Sequence, residues 1–239
     1  MQTPIRLAGI DGCRAGWVVA AADTSLASMQ FAVTTDLAPL FAEAATGRLL
    51  IAIDVPIGLP EAGPRACDRA ARALLGFPRG SSVFPAPCRA TLGAASYADA
   101  CRLNAVACGR RVSHQTFNII SKIREVDALL GPGLQERVRE AHPEVIFAAL
   151  GGAGRGLVHG KKTALGEAER RRLLADHVPR FDPAAVRARL GVAGVSRDDV
   201  TDAVACLVAA RRLLTGAALV LTGVDTPLDA HGLRMQIVA

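Results

Sequence analysis

Leu49-Leu50-Ile51-Ala52-Ile53-Asp54-Val55 is a continuous apolar run with one acid near its end. A run this short and rich in isoleucine and leucine reads as a strand covered on both faces. Upstream, Asp36 caps a predicted helix over 37–45, in which Leu37, Leu40 and Phe41 fall at helical spacing. Before it lie three apolar runs, 5–10, 17–22 and 29–33, whose short connections imply an antiparallel meander. The strand, helix, strand order sets the run at 49–55 parallel to an earlier strand through a right-handed crossover. The expected class is α/β: a mixed sheet of an antiparallel three-strand meander plus parallel strands, flanked by helices.

Downstream the pattern changes. Pro56, Pro60 and Pro64 bracket a loop, and a helix is expected over 65–75. Residues 76–89 are too rich in Pro and Gly for a regular element, and loops of this length are usually functional or disordered. Helical patterns follow over 96–108 and 115–130, and a strand over 145–150. The whole chain, 1–239, therefore reads as one domain with a helical insertion at about 60–140. Helices over 166–175, 183–190 and 196–215 come next, the last opened by a Ser196/Asp199 capping box. Strands are expected over 217–222 and 233–238.

The composition is 51% hydrophobic and only 4% aromatic, so Ala, Val, Leu and Ile must build the core. This excludes a disordered chain, and no collagen or heptad period appears. Twenty-eight basic residues, 25 of them Arg, against 22 acidic ones give a formal charge of +6. That field favours polyanionic partners, although an Arg- and Ala-rich habit would produce the same excess. No stretch approaches the ~18 apolar residues of a membrane span, and no cleavable leader is recognised at Met1, so a cytoplasmic protein with no membrane partner is expected. The six cysteines show no zinc spacing and read as buried free thiols.

Two acids end apolar strands, Asp11 and Asp54. A carboxylate there is costly unless something neutralises it. On neighbouring strands about 5 Å apart the two side chains can share one cation. Asp199 and Asp202 stand three apart on one face of the late helix. The first is explained by the helix dipole, whereas the second lies deeper and is followed by a small apolar face. Asp11, Asp54 and Asp202, with Asp199 or Glu144 nearby, form an all-oxygen cluster suited to Mg²⁺ or Mn²⁺ and to phosphoryl-transfer chemistry.

Several motifs occur in a fixed order: Gly9-Ile10-Asp11-Gly12-Cys13-Arg14-Ala15-Gly16-Trp17, Ile53-Asp54-Val55-Pro56-Ile57-Gly58-Leu59-Pro60, and Cys67-Asp68-Arg69-Ala70-Ala71-Arg72. Ser82-Val83-Phe84-Pro85, Lys122-Ile123-Arg124-Glu125-Val126-Asp127, His142-Pro143-Glu144-Val145, Lys161-Lys162-Thr163, Asp199-Val200-Thr201-Asp202-Ala203 and Gly232-Leu233-Arg234-Met235 follow. Together they resemble the DUF429 family of predicted RNase H-like nucleases over essentially the whole chain. The resemblance implies an RNase H-like fold, with acids on the first strand, the fourth strand and a late helix, places that Asp11, Asp54 and Asp202 match. The Asp199/Asp202 spacing is also similar to the late helix of Holliday-junction resolvases.

The leading expectation is a metal-dependent nuclease hydrolysing DNA or RNA, with Asp11, Asp54 and Asp202 as metal ligands and Asp199 or Glu144 orienting water. Arg79, Arg89, Lys161 and Lys162 are candidate phosphate contacts, with Arg110 and Arg111 flanking the same region. Lys161 and Lys162 stand outside any P-loop order, and a lysine pair in a Gly-rich loop is more often merely solvated. His142-Pro143-Glu144, expected before a strand, is either a surface turn or part of the site. Two other readings stay open: an actin- or sugar-kinase-like phosphotransferase or nucleotide-binding protein, with Asp11-Gly12 opening a phosphate loop, and a non-catalytic binding module with a vestigial acidic pocket. Oligomeric state is not legible.

Overall fold

A computed structural model describes residues 4–222 and 226–239. Met1 to Thr3, where the expectation of no leader begins, lie outside the described residues. The chain runs β1 (Arg6–Cys13), β2 (Gly16–Ala22), β3 (Met29–Thr34), α1 (Ala38–Ala45) and β4 (Leu49–Asp54), as the apolar runs predicted. Then come α2 (Ala66–Leu75), α3 (Tyr97–Cys108), α4 (His114–Asn118), α5 (Ile120–Leu129) and β5 (Val138–Glu140). The chain closes with α6 (Pro143–Leu150), α7 (Ala164–Ala175), α8 (Pro183–Leu190), α9 (Arg197–Leu214), β6 (Val220–Leu221) and β7 (Ile237–Val238).

The five-stranded sheet has the order β3-β2-β1-β4-β5. β1 pairs antiparallel with β2, and β2 with β3, whereas β4 is parallel to both β1 and β5. This is an α/β fold with a mixed sheet flanked by helices.

Alternation along the strands sorts the core into two layers. Leu7 on β1 and Leu50 and Ala52 on β4 face α2, α6 and α9, and their neighbours Ala8, Ile10, Ile51 and Ile53 face α1 and α5. The insertion between β4 and β5 contributes to both layers, α2 to the first and α5 to the second. A small third cluster joins Ala100 and Cys101 of α3 to Val112 in the loop that follows and Ile120 at the head of α5.

Four expectations are corrected. Residues 145–150 form α6 and not a strand: Pro143 occupies the first turn, and the helix is buried almost all round, so no polar face betrays its period. The fifth strand is instead Val138-Arg139-Glu140, three residues, two of them charged, which carry no apolar strand signal. The helix expected over 115–130 is two, α4 and α5, meeting at Ile119, where the backbone leaves helical geometry. The terminal strands shrink to residue pairs in a separate ribbon. Arg212's carbonyl accepts from Ala217 and Ala218 and keeps that segment at the helix end, while Asp229 holds Leu233 in a turn.

Gly9 decides how closely α9 can approach. A Cβ on Gly9 would lie 2.0 Å from the Leu207 nitrogen and 2.1 Å from the Ala203 oxygen, both backbone atoms of α9. The helix therefore rests on bare strand. Gly9→Ala should push the two elements apart and lower unfolding stability by at least ~2 kcal/mol, read from the urea midpoint. An unchanged midpoint would refute this contact.

Candidate functional site

Asp11 and Asp54 are direct partners in the β1–β4 register. Strand parity puts both on the α9 side, since Asp11 follows Leu7 and Gly9 while Asp54 follows Leu50 and Ala52. Asp202 stands on α9 just before the Ala203 contact with Gly9, and it is 2% exposed. β4 stops at Asp54 because Pro56 has no N–H to continue the ladder. The loop beyond is clamped by a buried ion cluster: Arg65 binds Asp68 and both Glu140 oxygens and donates to the Ile57 carbonyl, while Glu140 accepts from the Ile57 amide.

These carboxylates line one cleft of about 370 Å³, shared with Asp199, Glu144, His142, Lys122, Lys161, Arg79 and Phe84. Burial pushes Asp11 well above the ordinary carboxylate range, and the charges of Asp54 and Asp202 push it further. Burial also raises Asp54, against the opposing charges of His142 and Lys161 and a hydrogen bond from Asp11. Asp202 is raised by burial to about 6, with Lys161 pulling the other way. The Lys161 ammonium lies 2.6 Å from Asp202 Oδ2; although burial works against it, Asp202, Asp11 and Asp54 hold it charged above its usual range.

The other expected residues divide. Asp199 lines the cleft, but its Oδ2 accepts from the Ser196 amide at 2.7 Å in the capping box. Glu144 sits in the first turn of α6, not before a strand, paired through Oε1 with the buried Arg170. Arg79 lines the cleft and donates to the Val158 carbonyl. Arg89 is corrected: it lies outside the cleft, spent on Asp127 at 2.8 Å, on Asp229 and on Glu61. Lys162 is exposed and outside the cleft, as are Arg110 and Arg111. Lys122 and Phe84 also line the cleft, although no local spacing in the sequence ties them to the acids. Lys122 reaches the cleft by donating to the Gly16 carbonyl and lying 4.3 Å from the Trp17 ring centre.

Among the described residues, no three His, Cys, Asp or Glu side chains form a ready-made ion cage. Two carboxylate oxygens of the cleft, Asp202 Oδ1 and Glu144 Oε2, are nonetheless buried without a hydrogen-bond partner. Hard oxygens left bare in this way are the donors Mg²⁺ or Mn²⁺ prefers, so the residues fit such an ion in chemistry, with Lys161 already on one of them.

Fold and site thus define an α/β protein with a cleft of buried carboxylates where two parallel strands end. The chain belongs to the DUF429 family, described as a protein of unknown function, whose sequence model matches residues 9–226. No curated protein and no solved structure matches the chain. No described helix is long and apolar enough to cross a membrane.

The raised acids set a pH dependence. Their folded pKa values exceed the unfolded value of about 3.9, so the ion-free folded state binds extra protons above that pH. Stability should fall as pH rises from about 4 through the pKa of Asp202 at about 6 and beyond, to that of Asp11. Asp11→Asn should flatten this decline and stabilise the metal-free protein at pH 8 by about 1 kcal/mol, roughly 2–4 °C in melting temperature. Melting curves in chelator across pH test it, and a lower melting point for Asp11→Asn at pH 8 would refute it.

Proposed function

We propose that the protein is an RNase H-like, divalent-metal-dependent phosphodiesterase that hydrolyses nucleic acid. The observation that carries this reading is the in-register pair Asp11 and Asp54, faced by the buried Asp202 of α9. The sheet order, with two antiparallel pairings followed by two parallel ones, supports the RNase H-like assignment. Asp11, Asp54 and Asp202 would hold the ion, which supplies an activated water and neutralises charge on the leaving oxygen.

The chain's own groups do the rest. Glu144, anchored through Oε1 by Arg170, keeps Oε2 free to orient a water and accept its proton. Arg79 and Lys161 set positive charge along the cleft for the phosphate backbone, and Lys122 adds to it. The +6 charge favours a polyanion over a small neutral substrate. All six cysteines are unpaired, five of them buried, which supports a reducing compartment such as the cytoplasm.

Labelled single- and double-stranded DNA and RNA, incubated with Mg²⁺ or Mn²⁺, should be cleaved. Asp11→Asn and Asp54→Asn should each lower the rate by ~100-fold or more, since even outer-shell partners of a metal cost up to about that factor. Their circular dichroism should match wild type. Undiminished cleavage by both variants would overturn the assignment.

A further inference from the structure

We infer that Lys161 is an intramolecular counter-ion that competes with the divalent cation for Asp202, so that the ion binds by displacing the lysine. The inference rests on the metal reading above and assigns Lys161 a role within that site. Asp202 is almost wholly buried, and its two oxygens differ: Oδ2 carries the Lys161 ammonium at 2.6 Å, and Oδ1 has no partner. A lone carboxylate so placed would be an uncompensated buried charge, which the ammonium relieves.

The lysine is built to leave. Its backbone is tied down on either side: the Gly160 carbonyl accepts from the Thr163 amide at 3.0 Å and from the Thr163 hydroxyl at 2.8 Å. The same carbonyl would lie 2.0 Å from a Cβ on Gly166, so the head of α7 packs directly on it. Only the side chain is free to move. It is a flexible four-carbon stem, already 43% exposed, so its ammonium can swing into water without opening the core. Release would also return a cation to the cleft close to Arg79, whose Nη1 lies 3.4 Å from a Cβ built on Gly160.

A merely structural ion pair and a competitor differ in what their removal does to ion binding. Mn²⁺ should be titrated calorimetrically into wild type, Lys161→Met and Lys122→Met, the last removing a cation of the same cleft that does not touch Asp202. Lys161→Met should bind at least ~5-fold more tightly than wild type. Lys122→Met should shift affinity clearly less. Without ion, Lys161→Met should melt below wild type, and saturating Mn²⁺ should narrow or reverse that gap. Binding by Lys161→Met alone would be the extreme form of the same result. If wild type binds and Lys161→Met binds equally or more weakly, the competition is overturned while the metal site stands. An equal gain in both lysine variants would also overturn it, by showing a long-range field effect. If neither wild type nor Lys161→Met binds, the metal reading falls and this inference with it. Should Lys161→Met fail to fold, Lys161→Gln serves in the same comparison.

Discussion

The contact on which the molecule depends is α9 lying bare-backboned on β1 at Gly9. Side chains normally fill the gap between a helix and a sheet, and here one partner has none at the crossing point. The approach carries the first turns of α9 over the ends of β1 and β4. Asp202, one residue before the contact, then faces Asp11 and Asp54, which strand parity has already turned to that side. One missing side chain, a period of two and a parallel register therefore bring three carboxylates into one cleft.

Such a cluster works against the fold. Each acid has lost water, Asp11 also feels the charges of Asp54 and Asp202, and the pKa values of all three rise even where Lys161 opposes the burial. The protein offsets this locally. Lys161 meets Asp202, Arg170 meets Glu144, and the Arg65–Asp68–Glu140 cluster braces the loop after β4 without touching the three acids. The two apolar layers on either side of the sheet provide the stability against which this strain is held. Buried charge that is only partly compensated, at the open end of a sheet, is the usual signature of a functional site.

The errors of sequence reading have physical causes. A helix buried all round, such as α6, loses the polar face by which period is recognised, so its apolar run resembles a strand. The true edge strand, Val138-Arg139-Glu140, hides because Glu140 is made tolerable by Arg65, 75 residues earlier. Arg89 illustrates the converse. An arginine in a Pro-rich loop looks free to meet phosphate until Asp127 and Asp229 arrive from distant segments and claim it.

The sequence by itself determined the meander, the crossover to β4, the capped late helix and the two acids closing strands, because local periodicity and capping encode all of these. It also singled out Asp202 as the deeper acid of its helix. Only the tertiary structure decided which charges are spent and which are available: Asp199 on its cap, Arg89 on its carboxylates, Glu144 with one oxygen paired and one bare, Lys161 seated on Asp202. Partnerships between charges far apart in the chain depend on distances of a few ångströms across packed elements, and no local pattern of residues carries that information.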